Sequence, residues 1–142
     1  MGEARTAIDR MTEAMVTHDR AALAAAYAED AVAVTPDEGE LKGRDEVVGY
    51  LSRLLDALPD FRWEPLAEHE SGDTSIDEGW VVGTNTGDIV LGDSTTIPAT
   101  GKSVRVRGCD IATVSGGLVV RHHFYFDQME LLTQLGLAPE QP

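Results

Sequence analysis

Two aspartates near the carboxyl end of the chain, Asp110 and Asp127, are the residues best suited to proton-transfer chemistry. Asp110 lies inside an apolar run with the alternation of a β-strand, and Asp127 directly follows a second such run. An unpaired carboxylate in an apolar interior is unfavourable by several kcal/mol, so each group must be paired, protonated or retained for chemistry. We therefore expect the functional site in this part of the chain.

The two runs, residues 104–114 and 118–127, predict a β-hairpin closed by Ser115-Gly116-Gly117. Alternation along the first strand places Asp110 on an apolar face. The other residues of that face are Val104, Val106, Ala112 and Val114. A carboxylate there either faces a cavity or forms a buried pair. The candidate partners for a pair are Arg107, Arg121 and the histidines of the second strand.

Asp127 has two possible roles. It directly precedes Gln128 to Leu135, a helix-like segment, so its side chain can accept the free amide protons of the first turn, an interaction worth about 1 kcal/mol. Capping stabilises the anion, which suits a base and hinders an acid. A catalytic Asp127 should instead point into a cavity.

Histidines 122 and 123 are neighbours, so one should face inward and the other outward. His123 shares a face with Arg121, Tyr125 and Asp127, and we interpret either histidine first as structural. If Arg121 and His123 lie in a cavity, they would hold Asp127 as an anion and bind an acidic or enolic substrate. Among the aromatic residues, Trp63 and Tyr125 are the candidates for binding a flat ring system.

The rest of the chain supplies helices and strands that can position these residues. Apolar spacing and capping signals predict helices over Glu3–His18, Asp19–Tyr27 and Asp45–Leu58, and strands over Ala31–Thr35, Phe61–Glu64 and Trp80–Thr86. Pro65 should confine its strand to an edge or a bulge. The predicted fold class is α+β: a curved antiparallel sheet wrapped around about three helices, which encloses a hydrophobic cavity. We expect one domain over residues 1–142.

Composition excludes several classes of protein. The 142 residues carry 11 basic and 25 acidic side chains, a net charge of -14, which disfavours nucleic acids and anionic membranes as partners. The single cysteine excludes an intramolecular disulfide and a multi-thiolate metal site. Neither a membrane-spanning run nor a signal peptide is recognisable, so we expect a cytoplasmic location. No His or Cys pair has the spacing of metal ligands.

Four local motifs, in this order, carry a resemblance to a known family. They are Tyr27-Ala28-Glu29-Asp30-Ala31, Gly83-Thr84-Asn85-Thr86-Gly87, Ala99-Thr100-Gly101-Lys102, and Tyr125-Phe126-Asp127 leading to Gln134-Leu135-Gly136. With the order of elements, they resemble the SnoaL-like polyketide cyclases of the cone-shaped nuclear transport factor 2 superfamily. The resemblance covers nearly the whole chain.

The resemblance implies an activity and a site. Characterised members close a ring of an aromatic polyketide by intramolecular aldol condensation, without metal or cofactor, and use an aspartate that matches Asp127 as general acid and base. Relatives often have Gly-Thr-His-Thr-Gly where this chain has Asn85, and an amide can orient a substrate oxygen but cannot exchange protons. The resemblance also implies a small hydrophobic ligand and a homodimer or higher homo-oligomer.

These observations predict that Asp127 transfers a proton on carbon next to a carbonyl. The candidate helpers are Asp110, Asn85, Arg107 and His123. Ring opening or closure of an epoxide by an Asp/Arg/Asp set drawn from Asp110, Arg107 and Asp127 is one alternative. A ligand-binding or dimerisation module without catalysis is another. Ketosteroid isomerase, a related enzyme with the same fold, has an aspartate at a position similar to Asp110. Its catalytic base and its tyrosine have no counterpart here, because this chain has Thr35 and Met11 at about those positions.

Overall fold

A computed structural model of the chain describes residues 2–139; Met1 and residues 140–142, which the predicted domain includes, lie outside the described residues. The helices are α1 (Glu3–Val16), α2 (Arg20–Ala26), α3 (Arg44–Ala57) and α4 (Gln128–Gln134). The strands are β1 (Tyr27–Thr35), β2 (Gly39–Lys42), β3 (Arg62–Ser71), β4 (Thr74–Thr84), β5 (Ile89–Val90), β6 (Thr96–Ile97), β7 (Ser103–Ser115) and β8 (Leu118–Phe126).

Six strands form one curved sheet in the order β2-β1-β8-β7-β4-β3, and β5 and β6 form a separate small hairpin. All neighbours in the large sheet are antiparallel except β1 and β8, which are parallel. The α+β prediction is confirmed, with this one parallel pair as a difference. Register shifts in β1, β3 and β7 mark bulges, which bend and twist a strand and so curve the sheet.

The helices bury their apolar faces against the concave side of the sheet. Along α3, Val47, Leu51 and Leu55 recur at helical spacing and are buried, and Pro59 follows the end of the helix. Asp19 caps α2, because its Oδ1 accepts the Ala22 amide proton at 3.0 Å. The predicted helices are confirmed. Within residues 2–139, no helix is both long enough and apolar enough to cross a membrane.

Two strand predictions followed from backbone chemistry and are confirmed. Pro65 lies in β3 at the edge of the sheet, and the register shifts between Pro65 and Ala67. The β7–β8 turn contains Gly116 and Gly117 at φ of 60° and 78°, the pair of positive angles that a tight hairpin turn requires. The sequence analysis missed β2 and the β5–β6 hairpin, because these strands are short and lie in polar, turn-rich segments.

A buried ion pair connects α1 to the sheet near the start of β4. The Arg5 guanidinium donates two hydrogen bonds to the Asp77 carboxylate, Nη1 to Oδ1 at 2.6 Å and Nη2 to Oδ2 at 3.0 Å. It also donates to Asp9, and both Arg5 and Asp77 are buried. The hydrogen bond to Asp77 raises the pKa of Arg5 above its ordinary value, so this cation stays charged at every physiological pH.

Replacing Arg5 with Ala should lower the free energy of unfolding by about 3 kcal/mol, because the Asp77 carboxylate would remain buried without its counter-charge. Urea denaturation measures this loss. Arg10→Ala is the matched control, since Arg10 is exposed on the same helix and should cost less than about 0.5 kcal/mol. Equal losses in the two variants would contradict the assignment.

Candidate active site

A cavity of about 230 Å³ lies between the concave face of the sheet and helices α1, α3 and α4. Its lining is mostly apolar and includes several aromatic side chains. The aromatic residues of the lining are Tyr50, Phe61, Trp63, Phe124, Tyr125 and Phe126. Trp63, a predicted ligand-binding residue, lies on this lining. An apolar cavity with aromatic residues on its lining suits a flat hydrophobic ligand.

Asp110 reaches this cavity from β7. Val106 and Ala112 are buried on the same face of the strand, as the alternation predicted, and the Asp110 carboxylate is on the cavity lining with its side chain 16% exposed. The predicted inward orientation of Asp110 is therefore confirmed. The structure also shows both of the alternatives that the sequence left open, because Asp110 faces a cavity and is paired with a histidine.

The partner of Asp110 is His122, on the neighbouring strand β8. His122 Nε2 lies 2.6 Å from Asp110 Oδ2, and His122 Nδ1 lies 2.7 Å from the Tyr27 hydroxyl. Tyr27 and His122 are completely buried. Tyr27 comes from the start of β1, which runs parallel to β8. Three strands thus supply one continuous chain of hydrogen bonds, which we call the Tyr27–His122–Asp110 relay.

One distribution of protons gives every polar hydrogen of the relay a partner. Tyr27 donates its hydroxyl proton to Nδ1 of a neutral His122, and the Nε2–H of His122 donates to the Asp110 carboxylate. Burial, followed by the negative charge of Asp110, raises the pKa of Tyr27 well above its ordinary value, so the phenol keeps its proton. Asp110 is then an anion whose Oδ2 is held by His122, while no hydrogen bond among residues 2–139 engages its Oδ1.

Asp127 takes the capping role and lies outside the cavity. Its Oδ1 accepts the Glu130 amide proton at 3.0 Å, and the residue is exposed at the start of α4. The first-turn amides of a helix lack partners within the helix, and this local demand orients the carboxylate. The orientation toward the cavity that a catalytic Asp127 requires is not what the structure shows.

Two other predicted site residues also lie on the outer face of the sheet. The Arg107 guanidinium carbon is 4.7 Å from the centre of the Trp80 ring, beside a shallow surface pocket that Asp127 also lines. His123 contacts Arg121 and the Tyr125 hydroxyl, each at 3.4 Å. The structure therefore does not bring Arg107 or His123 into the cavity. Tyr125 borders both the cavity and the surface pocket and is 51% exposed.

A family model described as a SnoaL-like domain matches residues 8–122, most of the chain. The chain belongs to the SnoaL-like domain family. This confirms the resemblance that the four sequence motifs indicated. No curated protein matches the sequence.

Solved structures place this SnoaL-like domain in the nuclear transport factor 2 and ketosteroid isomerase fold. A proposed SnoaL-like polyketide cyclase from Jannaschia sp. CCS1 has a TM-score of 0.83 at 16% identity, with 97% of this chain and 94% of that chain covered. IdmH, a proposed polyketide cyclase from Streptomyces antibioticus, has a TM-score of 0.77 at 22% identity, with 95% and 99% covered. An LEH-like epoxide hydrolase from M. tuberculosis has a TM-score of 0.71 at 18% identity, with 94% of this chain and 89% of that chain covered. At such identities the likeness shows the fold alone.

Two of the four family motifs have a structural role in this SnoaL-like domain, centred on Asn85. Its Nδ2 donates to the carbonyl oxygens of Ala57 (3.0 Å) and Gly87 (2.9 Å). Its Oδ1 accepts the amide proton and the hydroxyl proton of Thr100, at 2.9 and 2.8 Å. Asn85 is buried, and its side chain has used both donors and both acceptor positions. It joins the ends of α3 and β4 to the loop before β7, and no polar atom is left to orient a substrate.

Sequence reasoning did not identify Tyr27 and His122 as parts of one site. The alternation of β8 places His122 on the same strand face as the apolar residues Phe124 and Phe126. This alternation was the one feature of the sequence that indicated an inward-facing His122. Tyr27 was assigned to a buried helix face, 95 positions away from His122. Among residues 2–139, no group of three or more His, Cys, Asp or Glu side chains could hold a metal ion.

Replacing Tyr27 with Phe should lower the free energy of unfolding by about 1–3 kcal/mol, because His122 Nδ1 would remain buried without its donor. Tyr50→Phe is the matched control. The Tyr50 hydroxyl donates to Asp37 at 2.9 Å, but Asp37 is exposed and water can replace that bond, so the loss should stay below about 1 kcal/mol. Urea denaturation compares the two variants. A larger loss of unfolding free energy in Tyr50→Phe than in Tyr27→Phe would contradict the conclusion that the groups of the relay are buried and hydrogen-bonded to one another.

Proposed function

We propose that this SnoaL-like domain catalyses cofactor-free acid–base chemistry on a small hydrophobic carbonyl compound, of the kind that closes a ring by intramolecular aldol addition. The observation that carries the proposal is the Asp110 carboxylate on the lining of an apolar cavity, held by the buried His122 and Tyr27. The proton-transferring residue that this geometry supports is Asp110, in place of Asp127.

The relay prepares Asp110 to act as a base. His122 binds Oδ2, and among residues 2–139 no hydrogen bond engages Oδ1, so that oxygen is available to a substrate in the cavity. Because the Tyr27 hydroxyl fixes the tautomer of His122, the carboxylate is oriented before a substrate binds. His122 is completely buried and acts as a positioning residue without touching the substrate.

The reaction needs one proton carrier. Asp110 Oδ1 removes a proton from carbon next to a carbonyl, and the electron pair of that C–H bond forms an enolate. The enolate carbon attacks a second carbonyl carbon of the same molecule, a C–C bond forms, and the π electrons move to the second carbonyl oxygen. That alkoxide takes the proton back from Asp110. The product is an isomer of the substrate, so no oxidant or other co-reactant is consumed.

The cavity contributes orientation and exclusion of water. Aromatic side chains on the lining, which include Trp63 and Phe124, can pack against the rings of a conjugated ligand. Holding two ends of one molecule close together raises the rate of their reaction by lowering the entropy lost on the way to the transition state. The description of IdmH, a solved neighbour, as a proposed polyketide cyclase supports the proposal of a polyketide-like substrate here.

The geometry does not favour the epoxide alternative. An Asp/Arg/Asp set requires the three side chains to meet around one epoxide, but Arg107 and Asp110 lie on opposite faces of β7. Asp127 caps α4 outside the cavity. An LEH-like epoxide hydrolase shares the fold, yet this chain does not assemble that set of residues at one point.

Exchange of the acetyl protons of methyl naphthyl ketone in deuterium oxide, followed by NMR, tests the assignment without knowledge of the natural substrate. The protein should accelerate exchange, and Asp110→Asn should reduce the acceleration by about a hundredfold or more. An asparagine at position 110 can still accept the hydrogen bond that His122 Nε2–H donates. Asp127→Asn is the control, since Asn also caps helices, and exchange should remain within about threefold of the parent protein.

The opposite pattern, loss in Asp127→Asn and full activity in Asp110→Asn, would return the catalytic role to Asp127. Binding of the ketone without accelerated exchange would support the non-catalytic alternative, a ligand-binding module.

We also propose that the chain forms a homodimer through the outer face of the sheet. Ile76 of β4 and Tyr125 of β8 are 36% and 51% exposed on that face, and Leu66, at the bulge of the edge strand β3, is 53% exposed. Sedimentation equilibrium should show a dimer that Ile76→Glu converts to a monomer. Val16→Glu, on the exposed side of α1 and also 36% exposed, should leave the dimer intact. A monomeric parent protein, or equal dissociation of both variants, would contradict this interface.

A further inference from the structure

Two carboxylates line the cavity. They belong to Asp37 and Glu38, in the turn between β1 and β2, and Asp88 and Asp93 lie close in sequence to the cavity-lining segment Ile89–Leu91. The side chain and backbone of Thr95 hydrogen-bond Asp93 and lower its pKa, which keeps it ionised. No Lys or Arg occurs in the sequence between Trp63 and Gly101, so this hairpin supplies no positive charge.

Arg53 is the one cation among the described residues that line the cavity, and its charge is already paired. Its Nη2 lies 3.0 and 3.2 Å from the two oxygens of Glu38. Both side chains are largely removed from solvent, with 27% and 17% exposure. A side chain at Gly92 would collide with the Glu38 carboxylate, so the β5–β6 hairpin rests directly on this ion pair.

The charges on the lining therefore disfavour an anionic ligand. Asp37, Glu38 and the catalytic candidate Asp110 outnumber the single guanidinium of Arg53. Like charges repel strongly in a cleft whose walls have a low dielectric constant, because water screens them poorly there. A ligand carboxylate that approached Arg53 would also approach the carboxylates of Asp37 and Glu38. If it displaced Glu38 from Arg53, the Glu38 carboxylate would remain without its partner.

We propose that this cavity selects an uncharged or cationic aromatic carbonyl compound and excludes compounds that carry a free carboxylate, with Glu38 as a specificity-determining residue. The inference rests on the proposed function, since it names the substrate class of the same cavity. Glu38 acts by neutralising Arg53, which would otherwise be a binding site for anions.

Two ligands of nearly equal shape test the proposal: methyl naphthyl ketone, which is neutral, and naphthoate, which is an anion at neutral pH. Isothermal titration calorimetry at low salt should show that the ketone binds at least about tenfold more tightly than naphthoate. Glu38→Gln should narrow this ratio by strengthening naphthoate binding, because Arg53 loses its partner. Asp37→Asn should narrow the ratio without affecting that ion pair.

Glu40→Gln is the control, because Glu40 is an exposed residue of β2 outside the cavity lining, and the ratio should not change. Added salt should narrow the ratio in the parent protein. Naphthoate binding as tight as that of the ketone, or weaker naphthoate binding in Glu38→Gln, would overturn the proposal. The affinity ratio measures charge selection alone, whereas the exchange experiment on Asp110 measures catalysis, so the two proposals fail separately. A protein that binds neither ligand would contradict both.

Discussion

The structure depends on how a carboxylate can be held in an apolar interior. The hydrogen bond from His122 offsets the lost hydration of the Asp110 carboxylate on the cavity lining. The hydrogen bond from Tyr27 does the same for the other ring nitrogen of the buried His122. The three groups come from β7, β8 and β1, the consecutive strands in the middle of the sheet. The parallel pairing of β1 with β8 therefore has a chemical consequence, since it brings Tyr27, the first residue of β1, next to His122 in the β7–β8 hairpin.

The buried polar groups of this SnoaL-like domain differ in whether they leave capacity for a ligand. Asn85 uses its whole side-chain amide to join α3, β4 and the loop before β7, and Arg5 pairs with Asp77 where α1 meets the sheet. Both are structural connections around the cavity. Asp110 is different, because among residues 2–139 no hydrogen bond engages its Oδ1. This contrast is the physical reason for the proposal that Asp110 carries the chemistry.

Local periodicity predicted a large part of the fold. The apolar spacing of α3, the edge position of Pro65 and the inward face of Asp110 each follow from rules that act within a few residues. Local rules do not predict contacts between segments that are distant in sequence. The hydrogen bond between Tyr27 and His122 and the contacts of Asn85 are of this kind. For Asp127, the family match and the capping rule gave different roles, and the structure shows the cap.

A crystal structure of the protein with methyl naphthyl ketone bound would test the central claim most directly. The account predicts that the rings lie against Trp63 and Phe124, that the acetyl methyl carbon lies next to Asp110 Oδ1, and that the contacts of His122 are unchanged. A ketone whose methyl carbon instead lies next to Asp127, with that carboxylate withdrawn from the Glu130 amide, would contradict it.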